Sequence, residues 1–251
     1  MTSALVTGSS RGIGRQIALA LAAAGVRVAV HAGRDVAAAE RVRDGLPGEG
    51  HVAVSGDVAS PDRCADVLAA AVDGLDGLDV LVNNAGVFRA HPVDATDYPG
   101  WQQAWRSTVE VNLFGPANLT WLFVDHRRHR PGGPAGGRVV NVGSRGAYRG
   151  EPVTPAYGAS KAALHAMTQS LAVALAPLGI VTAAVAPGFV QTEMARDVLD
   201  GPSGDAVRAQ SPFGRVARAD EVADVVTWLA TAAPEWVSGT VVDVNGASYL
   251  R

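Results

Sequence analysis

Short β-branched runs alternate along this chain with longer stretches rich in alanine and leucine, and that alternation restricts the fold more than any other feature. Strands are expected at Ala4–Thr7, Arg27–His31, Val52–Ser55, Asp79–Asn83, Arg138–Gly143, Val181–Ala186 and Thr240–Val244. The segments between them have helix length. "RQIALALAAAG" (15–25) closes on Gly25, a suitable residue just past a helix end. "SPDRCADVLAAAVDG" (60–74) opens on Ser60 and Pro61, a helix-start signal. "RADEVADVVTWLATAA" (218–233) carries Val222, Val225, Val226 and Leu229 at helical spacing. Repeated β-α-β order needs crossovers, so the strands should run parallel with helices on both faces. The expected class is α/β, one doubly wound domain over residues 1–251, with no 20–50-residue repeat and no interdomain linker.

A chain of 251 residues can bury a sizeable core, and 48% hydrophobic residues is too many for a disordered one. The formal net charge of −3 gives no electrostatic reason to expect nucleic acid. Cys64 is the one cysteine, so no intrachain disulfide forms, and a reducing, cytoplasmic setting fits. No histidine partner is expected beside it, so it reads as core filler. "MTSALVTGSS" enters an apolar strand without a basic or long apolar leader, so no signal peptide is expected. The longest apolar stretch, Ile17 to Val30, is broken by Gly25 and Arg27 and is too short to span a membrane. "RPGGPAGGR" (130–138) and "DGPSGD" (200–205) read as surface loops, the second where many α/β enzymes carry a mobile lid.

"TGSSRGIG" (7–14) follows the first strand and opens the first helix. Gly8, Gly12 and Gly14 let a turn close and let backbone N–H groups approach an anion, while the helix N-terminus adds partial positive charge. "NNAG" (83–86) ends the fourth strand; its asparagines can bond backbone there, or form an ordinary turn. Asp57, with Val58, ends the third, where it can accept from an adenine amino group or cap the next segment. "YGASK" (157–161) sets Tyr157 four residues before Lys161, on one helix face. A free phenol ionises near pH ~10, and an adjacent ammonium lowers that value toward useful acid–base chemistry.

"TGSSRGIG", "NNAG", Ser144, "YGASK" and "PGFVQT" (187–192) occur in the order and approximate spacing of the short-chain dehydrogenases/reductases, a Rossmann-type family that the chain resembles from residue 3 to its end. The tail from "PFGRVARADEV" looks most like the β-ketoacyl-acyl-carrier-protein reductase branch. The resemblance implies a catalytic set of Asn112, Ser144, Tyr157 and Lys161. It implies dinucleotide contacts from Gly8, Ser10, Arg11, Gly12, Ile13, Gly14, Asp57, Val58, Asn84, Ala85, Gly86, Tyr157, Lys161, Pro187, Gly188, Val190 and Thr192. Tyr157 would exchange a proton with the substrate oxygen and Ser144 would hold that oxygen. Lys161 would hold the nicotinamide ribose, and Asn112 would keep a water in line with the lysine.

After the second strand the chain reads "VHAGRD". Relatives using NAD usually place an acidic residue at that strand's end; about Ala32 stands there, with Arg34 and Arg11 available to a 2′-phosphate. NADP(H) is therefore expected, with an NAD-linked dehydrogenase or a non-catalytic dinucleotide-binding regulator as alternatives. The substrate class is a ketone or secondary alcohol, with a 3-oxoacyl thioester on an acyl carrier protein within range. "HRRHR" (126–130) could dock such an acidic carrier or be a solvated helix end. The family's second basic spot reads Pro177–Leu178 here. Arg145 and Arg149 could meet an anionic substrate or only solvent. His126 and His129 lack further ligands for a metal. Trp101 and Trp105 should pack on the core or line the substrate mouth, and His165 should be packed or at a subunit contact. The helix at 162–176 is apolar almost all round, which with the resemblance points to a homotetramer.

Overall fold

The computed structural model describes residues 2–251. Seven parallel strands form one sheet: β1 (Ser3–Val6), β2 (Arg27–Ala32), β3 (Val52–Ser55), β4 (Val80–Asn83), β5 (Arg138–Val142), β6 (Val181–Pro187) and β7 (Val241–Val244), in the order β3-β2-β1-β4-β5-β6-β7. Each expected strand is present within a residue or two at its ends. The helices are α1 (Gly12–Ala23), α2 (Val36–Asp44), α3 (Pro61–Leu75), α4 (Tyr98–Val109), α5 (Gly115–His129), α6 (Gly146–Arg149), α7 (Pro155–Leu175), α8 (Arg196–Leu199), α9 (Gly204–Arg208) and α10 (Ala219–Thr231).

The strands read as apolar runs because both faces of the sheet are covered. Ala4, Val6, Val28, Val30, Val82, Val140 and Val185 face α1 and α10 in one buried cluster. Leu5, Ala29, Leu81 and Val139 alternate onto the other face, against Val67, Ala71, Leu119 and Phe123 of α3 and α5. Cys64 belongs to this second cluster, as core filler; its thiol donates to the Val58 carbonyl, and burial pushes it up to about 11. Helix starts follow local chemistry: Ser60 accepts from the Arg63 N–H to cap α3, and Asp35 accepts from Ala38 N–H to cap α2. Strand order reverses between β1 and β4, so the crevice beyond their carboxyl ends is where such a sheet binds ligands.

Two loop expectations change. The run "HRRHR" is not a solvated helix end throughout. Arg127 is buried, bonds Asp79 at 2.7 Å and holds the "PGGPAGG" loop through the Pro134 and Ala135 carbonyls; Arg130 also reaches Asp79. His126 accepts from the Leu78 N–H, leaving Arg128 and His129 exposed. "DGPSGD" is a loop only in part: it links α8 to α9, which begins at Gly204 within it.

Candidate active site

The glycine turn follows β1 because glycine alone fits it. Gly8 has φ +63°, and a Cβ there would stand 2.9 Å from the Ala85 Cα. At Gly14 a Cβ would overrun the Asn84 amide and the Gly8 carbonyl. "TGSSRGIG" and "NNAG" are therefore one structure, and Thr7 joins them. Its hydroxyl accepts from Asn84 N–H at 2.9 Å and Ala85 N–H at 3.0 Å, while Asn84 Nδ2 donates to the carbonyls of Thr7 and Gly8. Ser10 and Ile13 are half-buried on this turn. From the far side, Thr192 closes on Gly12, where a Cβ would lie 3.7 Å from its methyl. Gly188 and Val190 hold the "PGFVQT" segment in place by pairing with Val244 and Ala217. Arg11, the residue before α1, makes no side-chain cap, and the first turn holds no acidic residue. An anion fits those N–H groups, so the cradle suits a dinucleotide pyrophosphate.

His31, on β2, is the part of this cradle that the sequence did not disclose. Gly8 N–H donates to its Nδ1 at 2.9 Å, so Nε2 carries the proton toward the Gly56 carbonyl, also at 2.9 Å. Burial lowers its pKa and keeps it in this neutral tautomer. Ser9 adds a second tie: its hydroxyl donates to the Val6 carbonyl and accepts from His31 N–H. A histidine within an otherwise apolar strand was the available signal.

At the adenosine end, Ala32 closes β2, buried and without a carboxylate. Asp57 accepts from Ala59 N–H, and Arg34 lies 3.9 Å from its carboxylate. Val58 is core on its side-chain side. Arg11 lies 3.7 Å from Glu193; both arginines are largely exposed.

The chemical end is assembled on α7. Asn112 falls in a π-helical turn, Glu110–Phe114, between α4 and α5, rather than in regular α-helix. That extra residue turns it fully inward. Its Oδ1 accepts from Val87 N–H at 2.8 Å, and its Nδ2 donates to the Val87 carbonyl and to Ser160 Oγ. Ser160 in turn donates to the Tyr157 carbonyl. Lys161, buried, donates to the Val142 carbonyl at 2.8 Å. A Cβ on Gly86 would lie 3.3 Å from Asn112 Oδ1 and 3.6 Å from Lys161 Nζ, so the end of "NNAG" lies beside the lysine. Ser144 follows β5, its Oγ accepting from Gly146 N–H; Arg145 N–H bonds the Pro187 carbonyl.

The electrostatics differ from the simple ammonium–phenol pair. Burial pushes Tyr157 up, the Ser144 hydroxyl partly offsets this, and Glu151 raises it further. Burial also lowers Lys161 to about 8, which leaves it mostly protonated at pH 7. Desolvation is therefore the leading influence on the phenol, ahead of Ser144 and Glu151. The Phe88 ring stands edge-on to Tyr157 at 4.9 Å. Another unforeseen contributor is His91: Nδ1 donates to the Arg89 carbonyl, so Nε2 accepts from Ala156 N–H in the first turn of α7. Trp101 packs on His91 at 5.6 Å and on Trp105 at 5.8 Å.

The family model described as enoyl-(acyl carrier protein) reductase matches residues 8–247. The chain is 35% identical to an acetoacetyl-CoA reductase of Shinella zoogloeoides, over 98% of both chains. It is 33% identical to a 3-oxoacyl-[acyl-carrier-protein] reductase of Staphylococcus aureus, over 99% of this chain and 98% of that one. A short-chain dehydrogenase/reductase structure from Brucella melitensis superposes with TM-score 0.89 at 28% identity, covering 100% and 97%. A Burkholderia cenocepacia short chain dehydrogenase solved with NADP gives 0.86 at 33%, covering 98% and 97%.

Proposed function

Because the chain belongs to the short-chain dehydrogenase/reductase family of oxidoreductases, we propose that it is an NADP(H)-dependent reductase of ketones, with 3-oxoacyl compounds as the favoured class. The observation that carries this reading is the convergence of Asn112 and Lys161 on Gly86, one residue from the Ala85 that closes on the glycine turn. The nicotinamide cofactor supplies the hydride when bound. Gly12, Ile13 and Gly14 hold its pyrophosphate by backbone N–H groups, and Arg11 and Arg34 hold the 2′-phosphate. Tyr157 gives a proton to the carbonyl oxygen, and Ser144 fixes that oxygen by a hydrogen bond. Lys161 holds ribose hydroxyls. The Asn112 side chain is committed to Val87 and Ser160, so its part in proton resupply falls to its main chain.

The relatives named as acetoacetyl-CoA and 3-oxoacyl-carrier reductases support the substrate class. An acyl carrier protein would find only Arg128 and His129 of the basic run exposed. A homotetramer is supported by exposed apolar side chains: Phe114 and Trp121, seven residues apart on one helical run, and Val173 on α7, 80% exposed. Light scattering at micromolar concentration should exceed the 25.7 kDa monomer mass fourfold. No helix among the described residues is long and apolar enough to cross a membrane. The deciding assay mixes the pure protein with NADPH and acetoacetyl-CoA or simple ketones. Absorbance of NADPH should fall; a flat trace with every ketone would refute the reading.

A further inference from the structure

Two guanidinium groups from the segment between Ser144 and Tyr157 converge on one neutral oxygen. Arg145 Nη2 and Arg149 Nη1 each donate to Gln210 Oε1 at 2.5 Å. Arg145 is 3% exposed and stacks over Phe189 at 5.3 Å. Arg127 is buried to a similar degree, and the Asp79 carboxylate answers it at 2.7 Å. Arg145 and Arg149 make no ion pair within 4.0 Å among the described residues. Glu151 acts on both only at longer range.

A cavity of about 240 Å³ adjoins Arg145, lined also by Phe189, Val207, Ser211 and Asn245. Its other charges are already matched: Arg215 bonds Glu221 at 2.7 Å, and Asp243 bonds Arg251 at 2.9 Å. Arg145 is thus the one cation on the cavity wall without a counter-charge. Two cations held around a neutral amide oxygen repel one another and make weaker bonds than they would to an anion. The location of Oε1 is already within donor range of both, so an oxyanion placed there needs no rearrangement of either arginine.

We propose that Arg145 and Arg149 form a seat for an oxyanion, carboxylate or phosphate, borne by the substrate, and that Gln210 occupies the seat until substrate displaces it. This rests on the reductase reading above and narrows its substrate to acidic oxo compounds. Gln210 follows α9, between Val207 and Ser211, which line the cavity. The seat begins at the residue next to Ser144, which favours a short oxo acid over a distant phosphate.

The test compares acetoacetate, acetoacetyl-CoA and ethyl acetoacetate, which offer a carboxylate, phosphates and no charge beside the same reacting ketone. Arg149 is exposed, so Arg149→Gln should fold. The variant should lower the acetoacetate-to-ester ratio of kcat/KM by roughly 10- to 150-fold, through KM. A fall confined to the acetoacetyl-CoA-to-ester ratio assigns the seat to phosphate. If both ratios stay within twofold of wild type, the seat is refuted. Calorimetry with malonate and with inorganic phosphate reads the seat without turnover. One of these anions should bind wild type at least tenfold more tightly than Arg149→Gln, and equal binding of both would overturn the proposal even if no ketone is reduced.

Discussion

The Lys161 ammonium lies 5.8 Å from the centroid of the Tyr157 ring, yet its hydrogen bond runs to the Val142 carbonyl. The lysine is therefore held beside the phenol without bonding it, and burial governs both groups. Tyr157→Phe removes the proposed proton donor and leaves the glycine turn untouched. Ketone reduction should drop by ~10²–10⁴-fold while NADPH binding, followed by fluorescence, is retained. Turnover within threefold of wild type would show that another group supplies the proton.

Lys161 should also be a stability cost. Its folded pKa of about 8 lies below the ordinary 10.5, so the unfolded chain binds more protons between those values and stability rises with pH across that window. Below pH 8 the full cost of about 3 kcal/mol is present. Lys161→Met should therefore abolish activity yet raise stability at pH 7 by ~1–3 kcal/mol, the gain shrinking toward pH 10.5. The gain is reduced by the donor that the Val142 carbonyl loses. Denaturant titrations at pH 7 and 10 measure this; a less stable variant at pH 7 would count against a charged, desolvated lysine.

Acid should weaken the fold through His165. Burial, then the charges of Lys161 and Arg251, lower it to about 4, and neither ring nitrogen has a partner. As pH falls from 6.5 toward 4, the unfolded chain takes up a proton that the native chain refuses, and up to about 3 kcal/mol is lost. His31 acts in the same direction. His165→Leu should lose less stability than wild type between pH 7 and 4.5. Parallel curves for the two proteins would place the acid sensitivity elsewhere.

Cofactor choice should rest on Arg11 and Arg34. Changing both to alanine should cost roughly 10- to 150-fold in kcat/KM with NADPH and little with NADH. A wild type that prefers NADH, or a variant equally impaired with both, would reverse the assignment.

The strands were legible because a sheet buried on both faces must be written as short apolar runs, and "TGSSRGIG" because only glycine fits at Gly8 and Gly14. Contacts distant in sequence were not legible. Arg127 looked free because its partner, Asp79, is 48 residues away. The π-helical turn at Asn112 needs a single extra residue, which leaves no periodic trace in "VEVNLFG". His31 and His91 act through backbone N–H groups whose direction is set by tertiary structure alone. The same holds for Tyr157 and Lys161: their spacing was plain, but not the desolvation that decides their protonation.

The ties on the glycine turn set when it can exist. Its Gly8 N–H is fastened to His31, 23 residues on, and its carbonyls to Asn84, 76 and 77 residues on. A nascent chain that has completed only its first βαβ unit carries the glycine motif without the shape that grips phosphate. Bringing β4 alongside β1 closes a long loop before either Asn84 bond is gained, so the cradle is completed late. On unfolding, release of β4 alone would empty the cradle while β1 and β2 are still paired. Dinucleotide retention is thus a sensitive gauge of the joint between the two halves of the sheet.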